Sequence, residues 1–197
     1  MAEKALAALE RRPVLRTRDL VAKGVTRATL SRLVEAGEIQ RVGRGIYAHA
    51  DYVPSEHPTL VEVQRQIPNG VICLLSALGF HQLTTQNPHQ VWIGIDEDAW
   101  KPRFDYPPLQ VVRFSEDARE FGVETHPIDG VKLRVTSPAR TVADCFKYRN
   151  KTGLDVALEA LRAFREQKAG SMDELWAAAE FDRVTRVIRP YLEAMNA

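Results

Sequence analysis

Residues 26–49 read TRATLSRLVEAGEIQRVGRGIYAH, and this stretch predicts a helix followed by a β-hairpin. Thr26 is a favoured helix N-cap, and Leu30, Leu33 and Val34 follow it with the i, i+3, i+4 spacing of one apolar helix face. Gly37 stands where a left-handed C-terminal cap ends a helix. We therefore predict a helix that extends to Ala36 and packs through its leucines.

The other side of this predicted helix is polar and basic. At about 100° per residue, Arg32 lies opposite the leucines, and Arg27, Thr29 and Ser31 lie on the flanks. In helix-turn-helix proteins such a helix enters the major groove of DNA, where arginine reads guanine by a bidentate contact. We predict that these four residues contact DNA.

Two short β-prone runs surround Gly43-Arg44-Gly45. Both glycines permit the positive φ values that a hairpin turn needs, so the tip would present Arg44, with Arg41 on the first strand. Such a wing lays arginines along phosphates or into the minor groove. We predict that Arg41 and Arg44 are DNA contacts.

Two further helical segments precede this stretch. Leu6 and Leu9 share a face of a short helix that Pro13 ends, and Thr17 is an N-cap candidate for a second helix that reaches Lys23. Gly24 then permits a tight turn into the basic helix. This order of elements predicts a winged helix-turn-helix DNA-binding domain over residues 1–52.

Charge is divided unevenly along the 197-residue chain. Residues 1–50 carry ten basic and five acidic residues, a net charge of +5, whereas the remainder carries 17 basic and 21 acidic residues, a net charge of −4. A basic module followed by an acidic one indicates two functions. Two prolines within residues 51–58 disfavour a continuous helix or central strand, so we predict a second domain over residues 58–197.

The sequence of the second domain predicts a mixed α+β fold, with a small central sheet and C-terminal helices. Strand patterns occupy residues 90–95 and 109–114, and two alternating runs (123–128 and 131–135) meet at Asp129-Gly130, a strong hairpin signal. Helical patterns occupy residues 59–66, 71–81, 154–167, 172–180 and 184–195, and Ser137-Pro138 begins another helix. On that helix, Arg140 and Asp144 predict an intrahelical ion pair worth ~0.2–0.5 kcal/mol.

Three longer segments of the second domain have a distinctive sequence. They are VICLLSALGFHQLTTQ (71–86), HQVWI (89–93) and SPARTVADCFKYR (137–149). Together with the N-terminal pattern they resemble the AbiEi family, the antitoxins of bacterial abortive-infection toxin–antitoxin operons, which are also described as transcriptional regulators of viral defence. The resemblance covers nearly the whole chain.

The resemblance implies a function for each domain. The N-terminal winged helix-turn-helix would bind inverted repeats in its own promoter, through Arg27, Thr29, Ser31 and Arg32 on the helix and Arg41 and Arg44 on the wing. The C-terminal domain would counteract a nucleotidyltransferase-like toxin encoded alongside, directly or indirectly. Double-stranded DNA and the toxin are therefore the expected partners.

Two other function classes stay open. Asp96-Glu97-Asp98 follows a predicted strand and would suit a Mg²⁺-dependent nuclease, although no acid-x-Lys element occurs on the candidate strands. A winged helix can also serve as a protein-interaction adaptor. The scattered histidines and the distant Cys73 and Cys145 give no metal-ligand spacing, so we expect no metal, no cofactor, no catalytic residue and two reduced core thiols.

The chain shows no targeting or membrane signal. Its first residues predict a charged amphipathic helix, and its longest apolar stretch, residues 70–80, is far shorter than the ~20 residues of a membrane span. We therefore expect a cytoplasmic protein that does not bind membranes.

Overall fold

The structure is a computed structural model that describes residues 1–53, 56–102 and 106–195. The chain divides into two compact units, Met1–Pro58 with Pro127–Val131, and Thr59–His126 with Lys132–Ala197. The predicted boundary at residues 51–58 includes residues 54 and 55, which lie outside the described residues.

The first unit contains a three-stranded antiparallel sheet and short helices. The elements are α1 (Ala2–Arg11), β1 (Val14–Arg16), α2 (Thr17–Ala22), α3 (Arg27–Glu35), β2 (Ile39–Gly43) and β3 (Ile46–His49), and the strand order is β1-β3-β2. The predicted hairpin is confirmed. Strand β1 was not predicted, because its three residues are too few to show periodicity and form a strand only by pairing with β3.

The core of the first unit joins the three helices to the sheet. Its buried members are Ala5, Leu9, Leu15, Leu20, Val25, Leu30, Leu33 and Ile39. Helix α3 ends as predicted. Gly37 has φ +70°, its N–H donates to Val34 O, and Glu38 N donates to Leu33 O, so the last carbonyls of the helix are satisfied.

The second unit contains a five-stranded mixed sheet and packed helices, although Pro58 and the tip of the sheet's last hairpin, residues 127–131, belong to the first unit. Its elements are α4 (Pro58–Gln66), β4 (Val71–Ile72), α5 (Leu74–Phe80), β5 (Val91–Asp96), β6 (Leu109–Phe114), α6 (Glu116–Glu120), β7 (Val123–Ile128), β8 (Val131–Thr136), α7 (Pro138–Lys147), α8 (Arg149–Thr152), α9 (Leu154–Glu166), α10 (Met172–Phe181) and α11 (Thr185–Ala194). The strand order is β6-β5-β4-β8-β7, with β4 antiparallel to β5 and parallel to β8.

The predicted strands and the longer helices are confirmed, with one correction. Residues 71–81 do not form one helix, because Val71 and Ile72 pair with β5 and Ile72 also pairs with β8. Helix α5 starts only after Cys73, its N-cap. The hairpin at Asp129-Gly130 is as predicted, with φ +51° and +70°.

The start of α7 is also as predicted, but its ion pair is not a surface pair. Ser137 Oγ accepts from Arg140 N, and Pro138 occupies the first turn. The side chains of Arg140 and Asp144 are 1% and 0% exposed, and Arg140 Nε donates to Asp144 Oδ1 at 3.0 Å. The helical spacing predicted the pair but not its burial, which depends on how the helix packs.

Both cysteines are free and buried, as predicted. Burial raises the pKa of the Cys73 and Cys145 thiols well above their ordinary value, and the neighbouring Asp144 raises both further. The thiols therefore stay protonated and pack as small apolar groups.

The predicted fold class is confirmed: the chain is α+β, with a winged helix-turn-helix followed by a sheet and C-terminal helices. Over the described residues, every helix is too short or too polar to span a bilayer.

Candidate nucleic-acid interface

Helix α3 begins with a cap that fixes its first turn. Thr26 has extended backbone angles, and its hydroxyl oxygen accepts from Thr29 N at 3.2 Å. The cap satisfies one of the amides that the start of a helix leaves without a partner. It also holds the first turn, which carries Arg27, in a defined orientation.

The exposed face of α3 carries most of the predicted contact residues. At about 100° per residue, positions 27, 28, 31, 32 and 35 span roughly 140° of the helix surface. Arg27, Ser31 and Arg32 are all exposed on this arc, and Ser31 lies between the two arginines. Glu35 is also exposed on this arc, so the face combines two guanidinium groups, one hydroxyl and one carboxylate.

Thr29 differs from the prediction. It is 4% exposed, and its hydroxyl lies 2.9 Å from the Thr26 hydroxyl. Thr29 is four residues before buried Leu33 and adjacent to buried Leu30, so helical geometry turns it inward with them. Its side chain stabilises the helix start and is not available to a base edge.

The hairpin β2–β3, which we call the wing, carries the other two arginines. Arg41 and Arg44 are exposed, and Arg41 Nε donates to Gly43 O at 3.2 Å, which aligns its guanidinium with the wing. The strand register shifts between Arg41 and Gly43. Gly45 alone of the two predicted turn glycines has a positive φ, +70°, because Gly43 still belongs to β2.

The wing is tied to helix α2 by a contact that the sequence did not predict. Thr17 N and Thr17 Oγ1 donate to Gly45 O at 2.8 and 3.0 Å. Thr17 was expected to be the N-cap of α2, but Arg16 takes that place and Thr17 is the first helical residue. The contact joins residues 28 positions apart, so no local pattern signals it.

The candidate contact residues leave several positive charges uncompensated. Among the described residues, none of Arg27, Arg32, Arg41 and Arg44 forms an ion pair with a carboxylate. Exposed, unpaired guanidinium groups attract anions over about a Debye length. Helix α3 and the wing therefore carry four exposed, unpaired arginines, whose charge suits anionic groups such as phosphates.

The acidic segment after β5 is arranged differently from a metal site. Asp96 Oδ2 lies 2.6 Å from Arg119 Nη2, and Asp96 Oδ1 accepts from Asp98 N. Across residues 1–53, 56–102 and 106–195, no three His, Cys, Asp or Glu side chains converge to share a metal ion. The segment thus forms a loop that is braced by an ion pair.

Helix, turn, exposed basic helix and wing together define a winged helix-turn-helix protein. Residues 3–49 match the model of the family described as "Transcriptional regulator, AbiEi antitoxin". The match confirms the predicted resemblance over these residues and supports a role as a regulator or antitoxin. It does not extend to the three segments of the second unit that also carried the resemblance.

No curated protein matches the chain. Among solved structures, the chain is similar to "Crystal structure of RV2827C protein from Mycobacterium tuberculosis", with 15% identity, a TM-score of 0.48, and coverage of 92% of this chain and 75% of that one.

Proposed function

We propose that this protein is a DNA-binding transcriptional repressor and antitoxin of an abortive-infection-type operon. Residues 1–52 bind promoter inverted repeats, and residues 58–197 counteract a nucleotidyltransferase-like toxin. The observation that carries the proposal is the set of exposed, unpaired arginines on α3 and the wing, all within the segment matched by the AbiEi regulator family.

Each DNA-binding residue has its own role. Arg27, Ser31 and Arg32 face the major groove, and Arg32 makes the base contact that discriminates most. Arg41 and Arg44 bind the backbone or enter the minor groove beside it. Thr29, which the resemblance included, contributes instead by holding the first turn of α3 together with Thr26.

The assignment is tested by measuring affinity for the promoter duplex and for a scrambled duplex, at several salt concentrations. Arg32→Ala removes a contact worth about 1–3 kcal/mol of base discrimination, so preference for the promoter falls. Arg44→Ala weakens both duplexes alike and lowers the salt slope by about 0.9. Arg162→Ala, which removes an exposed arginine of the second unit, is the charge-matched control and keeps the preference. Equal losses on both duplexes for the two arginine variants would refute these roles.

The antitoxin role is tested with full-length protein. The double variant R27A/R32A is expected to lose promoter repression and to keep rescue of cells that express the toxin, because the two functions belong to different parts of the chain. Failure of the folded variant to rescue would contradict that division. Gel filtration of the purified toxin with the purified protein distinguishes direct from indirect neutralisation.

The nuclease alternative has a simple test of its own. It requires Mg²⁺-dependent cleavage of DNA that Asp96→Ala abolishes. The pairing of Asp96 with Arg119 favours the regulator. A repressor and antitoxin must reach both promoter DNA and the toxin, so the proposed function also implies a cytoplasmic location.

A further inference from the structure

The first unit carries a second basic surface, distinct from the proposed DNA-contacting arginines. It is an open groove of about 610 Å³, which we call the α1 groove. Its lining residues are Lys4, Ala7, Ala8, Arg11, Arg12, Leu15 and Lys23. Four of the seven are basic, and none is acidic or aromatic.

Helical geometry brings two of the four cations of the α1 groove onto one face of α1. Lys4, Ala7, Ala8 and Arg11 fall within an arc of about 100° on α1. The buried side of the helix faces the core through Ala5 and Leu9. The two acidic residues of α1, at positions 3 and 10, lie about 40° and 60° beyond Ala7 and are not among the lining residues.

The four cations of the α1 groove are free to bind an anion. Lys4, Arg11, Arg12 and Lys23 are all exposed. In the described part of the chain, the charged end of each has neither a carboxylate nor a hydrogen-bond partner. Like charges held together repel, so a partner with several negative charges lowers the energy of this surface.

One end of the α1 groove adjoins the recognition helix. Lys23 is the C-cap of α2, and Arg27, four residues later, is the first residue of α3. Four residues of chain span at most about 14 Å. Because each DNA strand carries a phosphate every ~3.4 Å along the axis, a duplex at the start of α3 brings further phosphates within reach of this end.

We propose that the α1 groove binds backbone phosphates of the same duplex, outside the base pairs contacted by α3. The inference rests on the proposed DNA-binding function and extends its footprint. A protein partner fits the groove less well, because the cores of protein interfaces are enriched in aromatic residues and depleted of lysine. The small side chains of Ala7 and Ala8, which line the groove, also let a sugar-phosphate chain approach the helix closely.

The test uses the full-length variant K4Q/R11Q/R12Q/K23Q. Its affinity for the promoter duplex is measured at several salt concentrations. If all four cations contact phosphates, the magnitude of the log K against log salt slope falls by about 3–4. Preference for the promoter over a scrambled duplex stays unchanged, since phosphate contacts carry no base information.

A matched control removes two lysines and two arginines from the second unit. The variant K132Q/R162Q/K168Q/R186Q changes exposed residues only, and its slope is expected to remain that of the wild type. If the fourfold groove variant does not fold, judged by circular dichroism, K4Q/R11Q replaces it, with an expected slope change of about 1.8. Trimming the flanking base pairs of the duplex lowers the wild-type slope toward that of the groove variant.

The failures of the two proposals are distinguishable. If the wild type prefers the promoter and the groove variant keeps its slope, the groove inference is wrong and the proposed function stands. Equal slope changes in the groove and control variants also overturn it, as does an unchanged slope with lost toxin neutralisation, which would indicate a protein partner. If the wild type binds no duplex, both proposals fail.

Discussion

Arg140 is a fully enclosed charged side chain of the second unit. Besides Asp144, it donates to Phe121 O at 2.7 Å, and its guanidinium lies within 6 Å of the rings of Phe114, Phe121 and Phe181. Lys147, at the end of the same helix α7, pairs with the buried Asp182, and the two charged atoms lie 2.9 Å apart. Packing and two buried ion pairs therefore hold the SPARTVAD segment in place.

Replacing Arg140 tests this structural reading. Arg140→Ala leaves Asp144 buried without its cation, so we expect a loss of about 3–5 kcal/mol in the free energy of unfolding. The measurement is denaturant unfolding of the full-length protein. Arg186→Ala, at an exposed position, is the control and should change stability by less than about 0.5 kcal/mol. A loss below about 1 kcal/mol at position 140 would contradict the burial.

The buried carboxyl groups also make stability depend on pH. Burial raises the pKa of Asp144 well above its usual range, Arg140 opposes this, and the neighbouring Asp182 carboxylate raises it further. The folded state then binds this proton more tightly than the unfolded chain does. Above the unfolded-state pKa of about 3.9, the wild type therefore loses stability as pH rises toward the folded pKa.

Asp144→Asn removes this titration. Relative to the wild type, the free energy of unfolding of the variant should increase steadily from pH 4 upward, measured by urea unfolding at each pH. Asparagine keeps an Oδ1 that can accept from Arg140 Nε, and any difference in packing adds an offset that does not vary with pH, so the slope is diagnostic. A difference between variant and wild type that is independent of pH would show that Asp144 titrates alike in both states.

Two hydroxyl residues of α3 should respond in opposite ways to substitution. Thr29→Val keeps the buried shape but loses the hydrogen bond to Thr26, so it should lower stability by about 1 kcal/mol and keep the promoter preference of the folded protein. Ser31→Ala, which is exposed, should change stability by less than about 0.5 kcal/mol and weaken promoter binding. Thermal unfolding and duplex titration together distinguish the two variants. A selective loss of base preference in Thr29→Val would show that Thr29 contacts DNA.

At the scale of elements, the wing depends on one left-handed turn residue. Gly45 has φ +70°, and a Cβ there would lie 3.2 Å from Thr17 Oγ1. Gly45→Ala should therefore cost about 1 kcal/mol or more and weaken binding to all duplexes by loosening the wing. Gly43→Ala is the matched control, because its φ is ordinary and its Cβ would meet Ile46 at 3.4 Å. Similar effects of the two substitutions, in unfolding and in duplex binding, would argue against this role of the turn.

Elements with a regular pattern or a specific turn could be predicted from the sequence. The strands β5 and β6 and the Asp129-Gly130 hairpin are examples, as is the C-terminal cap of α3. Val71 and Ile72 were misassigned because two residues buried on all sides have no periodicity, and only pairing with β5 and β8 makes them a strand.

The candidate site was also predictable from the sequence only in part. Helix geometry correctly predicted the exposed positions of Arg27, Ser31 and Arg32, whereas Thr29 was misplaced because it lies at the edge of the apolar stripe. The contact of Thr17 with Gly45 and the entry of Lys23 into the α1 groove depend on how separate elements pack. No local pattern contains that information.

At the scale of the whole molecule, each unit has a hydrophobic cluster of its own among the described residues. The first is built around Leu9, Leu20 and Leu30, the second around α7, α9 and α10, and the two sets share no residue. A unit with its own core can lose stability without its neighbour. The unit proposed to bind DNA and the unit proposed to neutralise the toxin would then unfold independently.

Hydrogen exchange measured by mass spectrometry tests that independence. Leu30 is fully buried, so Leu30→Ala should destabilise the first unit by about 2–5 kcal/mol and accelerate amide exchange in α1, α2 and α3. Exchange in α7 and α9 should stay at the wild-type rate, and Leu161→Ala, in the second core, should produce the reverse pattern. If either substitution accelerates exchange equally in both units, the chain unfolds as one cooperative body. Loss of promoter binding in a variant could then no longer be separated from loss of the antitoxin unit, so the experiments on α3 would need stability-matched variants.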